Sequence, residues 1–339
     1  MRSSSAVLTD TSVRLWDLTF PADRALLGRT RSAYVHVDNL IAYSKRDRDA
    51  KVHGYLVCWR PDETVLLFFL GGELVNAAVL TPVGRFPVAI SEAMKHLRAE
   101  PERSELAFHA TSTGQLAAMF AASVQAPLDL GLDPTSPKTV FDNVLARKWS
   151  GLLELISNGR VNYLSVKEGR FAAGMFADQR KDEDAKACLT RMFSSKHPEP
   201  LPRVTVKAFP GLAEVPLQAT PALVQVCRQY VWDLVELAER EMPGGETAKR
   251  AEKIRLKLTT SHEALKSVGG VRGSLFADPI VEPAQLTDGV AGWTKVFLGE
   301  LEVMHPGIAL QLLKEATREQ RFQFAALGFF DRLPWKIEW

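Results

Sequence analysis

The chain has 339 residues, 46% of them apolar and 24% charged, with a formal net charge of +2. That balance is ordinary for a soluble globular protein of two or three domains, and it argues against a chain built chiefly to bind nucleic acid or an anionic membrane. Three widely spaced cysteines, Cys58, Cys188 and Cys227, suggest neither a disulfide framework nor a zinc cluster; Cys58 and Cys227 read as small core residues in a reducing, cytoplasmic setting.

The stretch Met1 to Ser12 is rich in Ser and Thr, has no apolar segment, and is read as an N-terminal extension (1–35) rather than a secretory signal. The longest apolar run, Leu116 to Ala122, falls far short of the roughly 20 residues a membrane span needs. A short helical pattern covers Val37 to Tyr43, interrupted by the polar run Ser44 to Lys51. Gly54 to Trp59, Thr64 to Leu70 and Glu73 to Leu80 follow as strands, separated by the turn chemistry of Pro61-Asp62 and Gly71-Gly72. Pro87 to Arg98 is predicted as an amphipathic helix, Glu105 to His109 as a strand and Gln115 to Ser123 as a helix. Residues 126–138, with three prolines, read as a linker.

The second half repeats the order. Val140 to Lys148 is a predicted helix; Gly151 to Ile156, Val161 to Val166 and Arg170 to Phe176 are predicted strands. Asn158-Gly159 predicts a type I′ hairpin turn, which needs positive φ at both central residues. Asp184 to Phe193, Val204 to Phe209 and Pro221 to Arg240 follow as helix, strand and helix. Gly54 and Gly72 match Gly151 and Gly169, each 97 residues on, whereas Asp38 and Asp142 lie 104 apart. The difference is a seven-residue polar insertion in the first copy. A period of this length is too long for a solenoid unit and indicates a duplicated domain. The expected fold class is α+β: a small antiparallel-meander module at 36–125, a second copy at 139–240, and a helical region at 241–339.

In that last region Pro243-Gly244-Gly245 breaks the long helix, and Thr247 to Ser267 is predicted to close an αα-hairpin, which could also serve dimerisation or docking. Residues 274–290 read as irregular. Trp293 to Met304 and Pro306 to Arg318 read as helices, with Pro306 in the first turn. The aromatic tail, with Phe322, Phe324, Phe329, Phe330, Trp335 and Trp339, must pack on this chain, a second copy or a partner, because each large apolar side chain left in water costs about 1.5–3 kcal/mol.

No catalytic constellation emerges. Glu302 and His305 have helical metal-ligand spacing without the second motif that a di-iron site needs, and read as a helix end. Gly71-Gly72 and Gly269-Gly270-Val271-Arg272-Gly273 fit turns rather than phosphate loops. His53, His96, His109, His197 and His262 fall in no nucleophile motif. No cofactor and no metal are expected. The most basic stretch holds Lys249, Arg250, Lys253, Arg255 and Lys257 on one helix, with Ala251, Ile254 and Leu258 as its apolar stripe. A solvated face, an acidic protein partner and nucleic acid are its three readings, the last disfavoured by the lack of interleaved aromatics.

Each copy runs helix, Gly-x-Leu strand, apolar strand, glycine, strand with small residues, helix. The first offers Gly54-Tyr55-Leu56-Val57 and Phe69 to Ala77; the second offers Ser150-Gly151-Leu152-Leu153-Glu154-Leu155 and Tyr163 to Ala173. This resembles the PATAN (PatA N-terminal) domain, whose "sGxLxL" strand and "F/Y-x-x-G-x-I/L-x-x-A" element they echo. Two departures stand out: the insertion in copy 1, and the distance of Tyr163 from Gly169 in copy 2. The resemblance implies a non-enzymatic bacterial regulator or scaffold that binds proteins, associated with surface motility, type IV pilus control and two-component signalling. The partner-binding candidates are Lys249, Arg250, Lys253, Arg255, Lys257, Phe329, Phe330, Trp335 and Trp339, with a homodimer as a further option. Two other readings stay open: a ligand-binding protein or enzyme with its site between the copies, and nucleic-acid binding through the helix at 249–266.

Overall fold

The computed structural model describes residues 14–46, 52–180, 183–194, 204–244, 246–269, 272–273 and 276–338. Contacts divide the chain into one unit of Met1–Val88 with Ala93–Pro216 and another of Leu217–Trp339 with Ala89–Glu92.

The first unit begins with β1 (Arg24–Arg31) and α1 (Val37–Arg46). It continues through β2 (Gly54–Trp59), β3 (Thr64–Leu70), β4 (Glu73–Thr81), β5 (Gly84–Pro87), α2 (Ile90–Arg98), β6 (Glu105–Ala110) and α3 (Thr113–Val124). Then come α4 (Pro137–Ala146), β7 (Gly151–Ser157), β8 (Arg160–Lys167), β9 (Arg170–Met175), α5 (Ala185–Ser194) and β10 (Thr205–Phe209). The strands form two antiparallel sheets, ordered β1-β6-β2-β3-β4-β5 and β10-β7-β8-β9.

The duplication is present in three dimensions. Strands β6-β2-β3-β4 and β10-β7-β8-β9 have the same order, each with a helix before the second strand in this list and another before the first. Gly54 pairs with Phe69, and Gly151 with Val166, 97 residues on in both strands. Both copies slip register at the same point, between Phe68 and Phe69 and between Ser165 and Val166. Such a slip is a β-bulge, which increases local twist. Gly72 N–H donates to Val52 O at 2.8 Å, and Gly169 N–H to Trp149 O at 2.7 Å. Asn158 and Gly159 have φ of 51° and 74°, the positive pair that the Asn-Gly turn demands.

Layering follows from the strands' apolar sequences. Every residue of β2 is buried, which a sheet achieves only when both faces are covered. Helices α1 and α2 pack over one face of the first sheet around Leu56, Leu67, Ala93 and Phe108. Helices α4 and α5 do the same for the second sheet around Leu153, Leu164, Val144 and Leu189. The inner faces share one core with α3, in which Tyr55, Phe68, Leu116 and Phe120 join Leu152, Val161, Tyr163 and Phe209. The two copies therefore form a single body with α3 between their sheets.

Two strands escaped sequence reading. β1 lies inside the expected N-terminal extension, because its arginines and Gly28 mask the alternation. β5 occupies the start of the expected helix at Pro87, where the turn before it makes a hairpin with β4.

The second unit holds α6 (Pro221–Glu241), α7 (Thr247–Leu258), α8 (Pro283–Met304), α9 (Ile308–Ala316) and α10 (Arg321–Ala326) around one core. α6 belongs here rather than to copy 2: Val224, Cys227, Tyr230 and Leu234 enter this core with Trp293 and Phe297 of α8. The helix expected over Thr247 to Ser267 stops at Leu258 and resumes as a short 3₁₀ turn, Glu263–Ser267. The irregular stretch expected over 274–290 instead contains the start of α8, set by Pro283 in the first turn and a capping box between Glu282 and Gln285. Pro306 precedes α9 rather than opening it; Gly307, with φ of 90°, is the N-cap. No helix among the described residues is long and apolar enough to cross a membrane.

Candidate functional site

Between the copies, where a shared ligand site was one expectation, the structure places an ion pair. Arg85 on β5 forks onto Glu154 on β7, Nη1 to Oε2 at 2.5 Å and Nη2 to Oε1 at 2.9 Å. Arg85 Nη1 also donates to Ala122 O at the end of α3, at 3.1 Å. The two side chains are 3% and 0% exposed. Burial, then the Glu154 carboxylate, raises the Tyr163 phenol well above its usual pKa. The Tyr163 hydroxyl bonds to Glu154 as well. Neither residue has a role in the sequence-based expectations, although Glu154, amid Leu152, Leu153, Leu155 and Ile156, signals a buried charge awaiting a partner.

The outer faces of the copies differ. In copy 1, Arg98 on α2 pairs with Asp38 on α1 at 2.6 Å. Its β4 edge is covered, with Val75, Asn76 and Ala77 buried: Val88 N–H donates to Ala77 O at 3.2 Å, and Asn76 Nδ2 to Pro216 O at 2.9 Å. The matching residues of β9, Ala172, Ala173 and Gly174, are exposed, exposed and half-buried. Beside them lies an apolar groove of about 600 Å³ between α4 and α5, lined by Phe141, Phe171 and Leu189, with Lys138 and Lys186 at its rim. Phe171, 41% exposed, meets Phe141 edge-on at 6.5 Å between ring centres. Asp184, also at the rim, accepts Ala187 N–H at 2.7 Å and so caps α5. Further along, Arg191 clamps Glu183, whose carboxyl is held down to about 2 by that hydrogen bond first and by a backbone N–H second.

The basic helix divides into two kinds of residue. Arg255 is buried: Nε and Nη2 donate to Glu252 at 2.8 and 2.6 Å, and Nη1 to Leu265 O at 2.7 Å. Arg250 reaches Glu300 at 3.3 Å. Of the five cations, only Lys249, Lys253 and Lys257 are exposed, and their spacing sets them one turn apart on one face. Arg255→Ala is therefore expected to destabilise by about 1.5–3 kcal/mol, as befits loss of charged hydrogen bonds. Each Lys→Glu change on α7 should stay within about 0.5 kcal/mol. Urea unfolding of the four variants checks both; a lysine change as costly as the Arg255 one would contradict this division.

Four aromatic residues of the tail, Phe324, Phe329, Phe330 and Trp335, pack on their own chain. Phe329 is fully buried, with its ring centre 5.3 Å from Tyr230 and 4.7 Å from Phe324. Phe330 and Trp335 pack partly against the same core. Phe329 is thus a core residue and not a partner contact in this structure. Phe322 is 75% exposed; Trp339 lies outside the described residues, as does His197. Glu302 accepts the N–H groups of Gly307 and Ala309 at 2.6 and 2.9 Å, which lowers its carboxyl pKa and joins α8 to α9. Among the described residues no group of three or more His, Cys, Asp or Glu side chains could hold a metal ion; His96 contacts Glu63, His109 lies against Tyr55, and His53 accepts Gly71 N–H.

No family model, curated protein or solved structure matches this chain.

Proposed function

We propose that the chain is a non-enzymatic protein-binding regulator of the kind the PATAN resemblance implies: a cytoplasmic bacterial scaffold serving surface motility, pilus control or two-component signalling. Copy 1 acts as its structural half and copy 2 presents the docking face. The observation that supports this reading is the contrast between equivalent surfaces. The two copies share strand order, register and bulge, yet the β4 edge is covered and the β9 edge stands open beside an apolar groove. Exposed apolar patches bordered by polar groups mark interaction sites. The alternative, a ligand-binding protein or enzyme, would have its site between the copies, where α3 and the Arg85–Glu154 pair lie.

The test is retention of proteins from a bacterial lysate on the immobilised full-length chain. A reproducible set of bound proteins is expected, lost either on combining Phe141→Asp with Phe171→Asp or on reversing Lys249, Lys253 and Lys257 to Glu. If the wild-type chain retains nothing beyond the bare matrix, or if both variants retain the same set as wild type, this function is wrong.

A further inference from the structure

Building on the protein-binding reading, we infer that copy 2 captures an extended apolar segment of a partner protein, flanked by acidic residues, which adds as a strand to β9 and seats a side chain in the groove of Phe141, Phe171 and Leu189. Three observations converge on this occupant.

The first is the state of the sheet edges. An unpaired edge strand offers a row of free N–H and C=O groups, and proteins ordinarily blunt it with charge, proline, shortness or a cover. Three of the four edges here are blunted. β1 carries Arg24, Arg29 and Arg31, with Arg29 held over the Trp59 ring at 4.2 Å and bonded to Glu105 at 2.5 Å. β5 has four residues and ends in Pro87. β10 is bridged by Leu128, whose N–H donates to Ala208 O at 2.7 Å. β9 has Arg170 at one end and then Phe171, Ala172, Ala173, Gly174 and Met175 without a charge. Among the described residues, no strand pairs with its outer side.

The second observation comes from the repeat. In copy 1 the backbone carbonyl of Ala77 points outward and accepts a hydrogen bond from Val88, in a segment running along β4. Gly174 stands at the same register position, so its carbonyl presents the same acceptor to an added strand. Main-chain bonds of this kind supply affinity in strand addition, and pockets for alternate side chains supply specificity.

The third observation is charge. Lys138, Lys186 and Arg170 border the groove and the strand, and none of them is in an ion pair among the described residues. The lining acid, Asp184, is engaged as the α5 cap. Acidic residues flanking the bound segment complement this rim. A second copy does not: antiparallel β9–β9 pairing across a two-fold axis would turn two cation-rimmed grooves toward each other, and like charges placed together are disfavoured.

The probe is a displayed library of random nonapeptides panned on the full-length chain. Selected sequences should alternate apolar positions and carry Asp or Glu at their ends. A labelled consensus peptide, followed by fluorescence anisotropy, should bind at least about tenfold more weakly to Ala173→Asp and to Lys138→Glu/Lys186→Glu. The same peptide with its acids changed to lysine should recover binding to the double lysine variant, an outcome that a misfolded protein cannot give. The inference is overturned if selection yields nothing, or a non-acidic consensus, or one with helical spacing. It is equally overturned if both variants bind like wild type, or if sedimentation shows a dimer that Ala173→Asp dissociates. Should the lysate retain proteins while this selection fails, the strand site falls and the protein-binding reading stands; if neither yields a binder, both fall.

Discussion

Glu154→Ala is expected to destabilise the first unit by about 3–5 kcal/mol, the range for removing one member of a buried ion pair. The carboxylate receives both arms of Arg85, at 2.5 and 2.9 Å. Without it, a guanidinium that cannot shed its proton is left buried, still bonded to the Ala122 carbonyl. Burial opposes the arginine's charge while Glu154 favours it, and the balance raises the pKa of Arg85 above its ordinary value. Replacing both residues by apolar side chains of similar volume, Arg85→Met with Glu154→Leu, should recover most of the loss, since a well-packed apolar pair is often as stable as the ions it replaces. The full cycle of single and double variants, read by urea unfolding, separates this pairwise coupling from simple loss of volume. A single variant costing under about 1 kcal/mol would mean that water reaches the pair and that the copies are not closed on each other here. Because Arg85 belongs to copy 1 and Glu154 to copy 2, the pair also fixes how the two sheets meet across α3. The double variant should therefore keep its stability while losing some uniqueness of packing, visible as broader amide resonances in the shared core.

How far the sequence disclosed this molecule depends on the reach of each signal. Turns were legible because their chemistry is local: Asn158-Gly159 and Gly71-Gly72 specify positive φ by themselves. The duplication was legible because glycines are few and their spacing is exact to the residue through two strands. Boundaries that depend on tertiary partners were not. Tyr230 and Leu234 make α6 apolar, but only the fold shows that this face packs with Trp293, Phe297 and Phe329. β1 was missed because an edge strand half exposed and rich in arginine has little alternation to detect. The basic helix was over-read: sequence counts Arg255 with the lysines, whereas burial and Glu252 remove it from the surface. On the candidate surface, Phe141, Phe171 and Leu189 come from three separate elements. Apolar residues at such distances in sequence look like any other core positions until the helices above them are seen to part.

Gly72→Ala and Gly169→Ala should each cost about 2–5 kcal/mol, and by similar amounts in the two copies. Two physical terms combine. Both glycines have φ near +80°, where an L-residue pays about 1–2 kcal/mol in backbone strain. Both also lie under the end of the preceding helix. A Cβ on Gly72 would stand 2.5 Å from the Ser44 carbonyl oxygen, and one on Gly169 would stand 2.5 Å from Leu145 Cα and 2.9 Å from Val144 O. Backbone atoms cannot rotate away as a side-chain tip can, so helix and turn must separate, at roughly 1–3 kcal/mol for a forced repacking. Gly131→Ala supplies the control. Its φ of +56° carries the strain alone, since the nearest atom to its Cβ is an Arg147 side-chain nitrogen at 3.9 Å, and a loss of about 1–2 kcal/mol is expected. Thermal unfolding of the three variants gives the comparison. If Gly169→Ala proved as mild as Gly131→Ala, α4 would not be pressed onto the β8–β9 turn, and the matching glycines would reflect turn chemistry only. If both exceed the control, the glycines mark the point where each copy locks its first helix onto its sheet. The same contact then holds α4, and with it Lys138 and Phe141, in place beside β9.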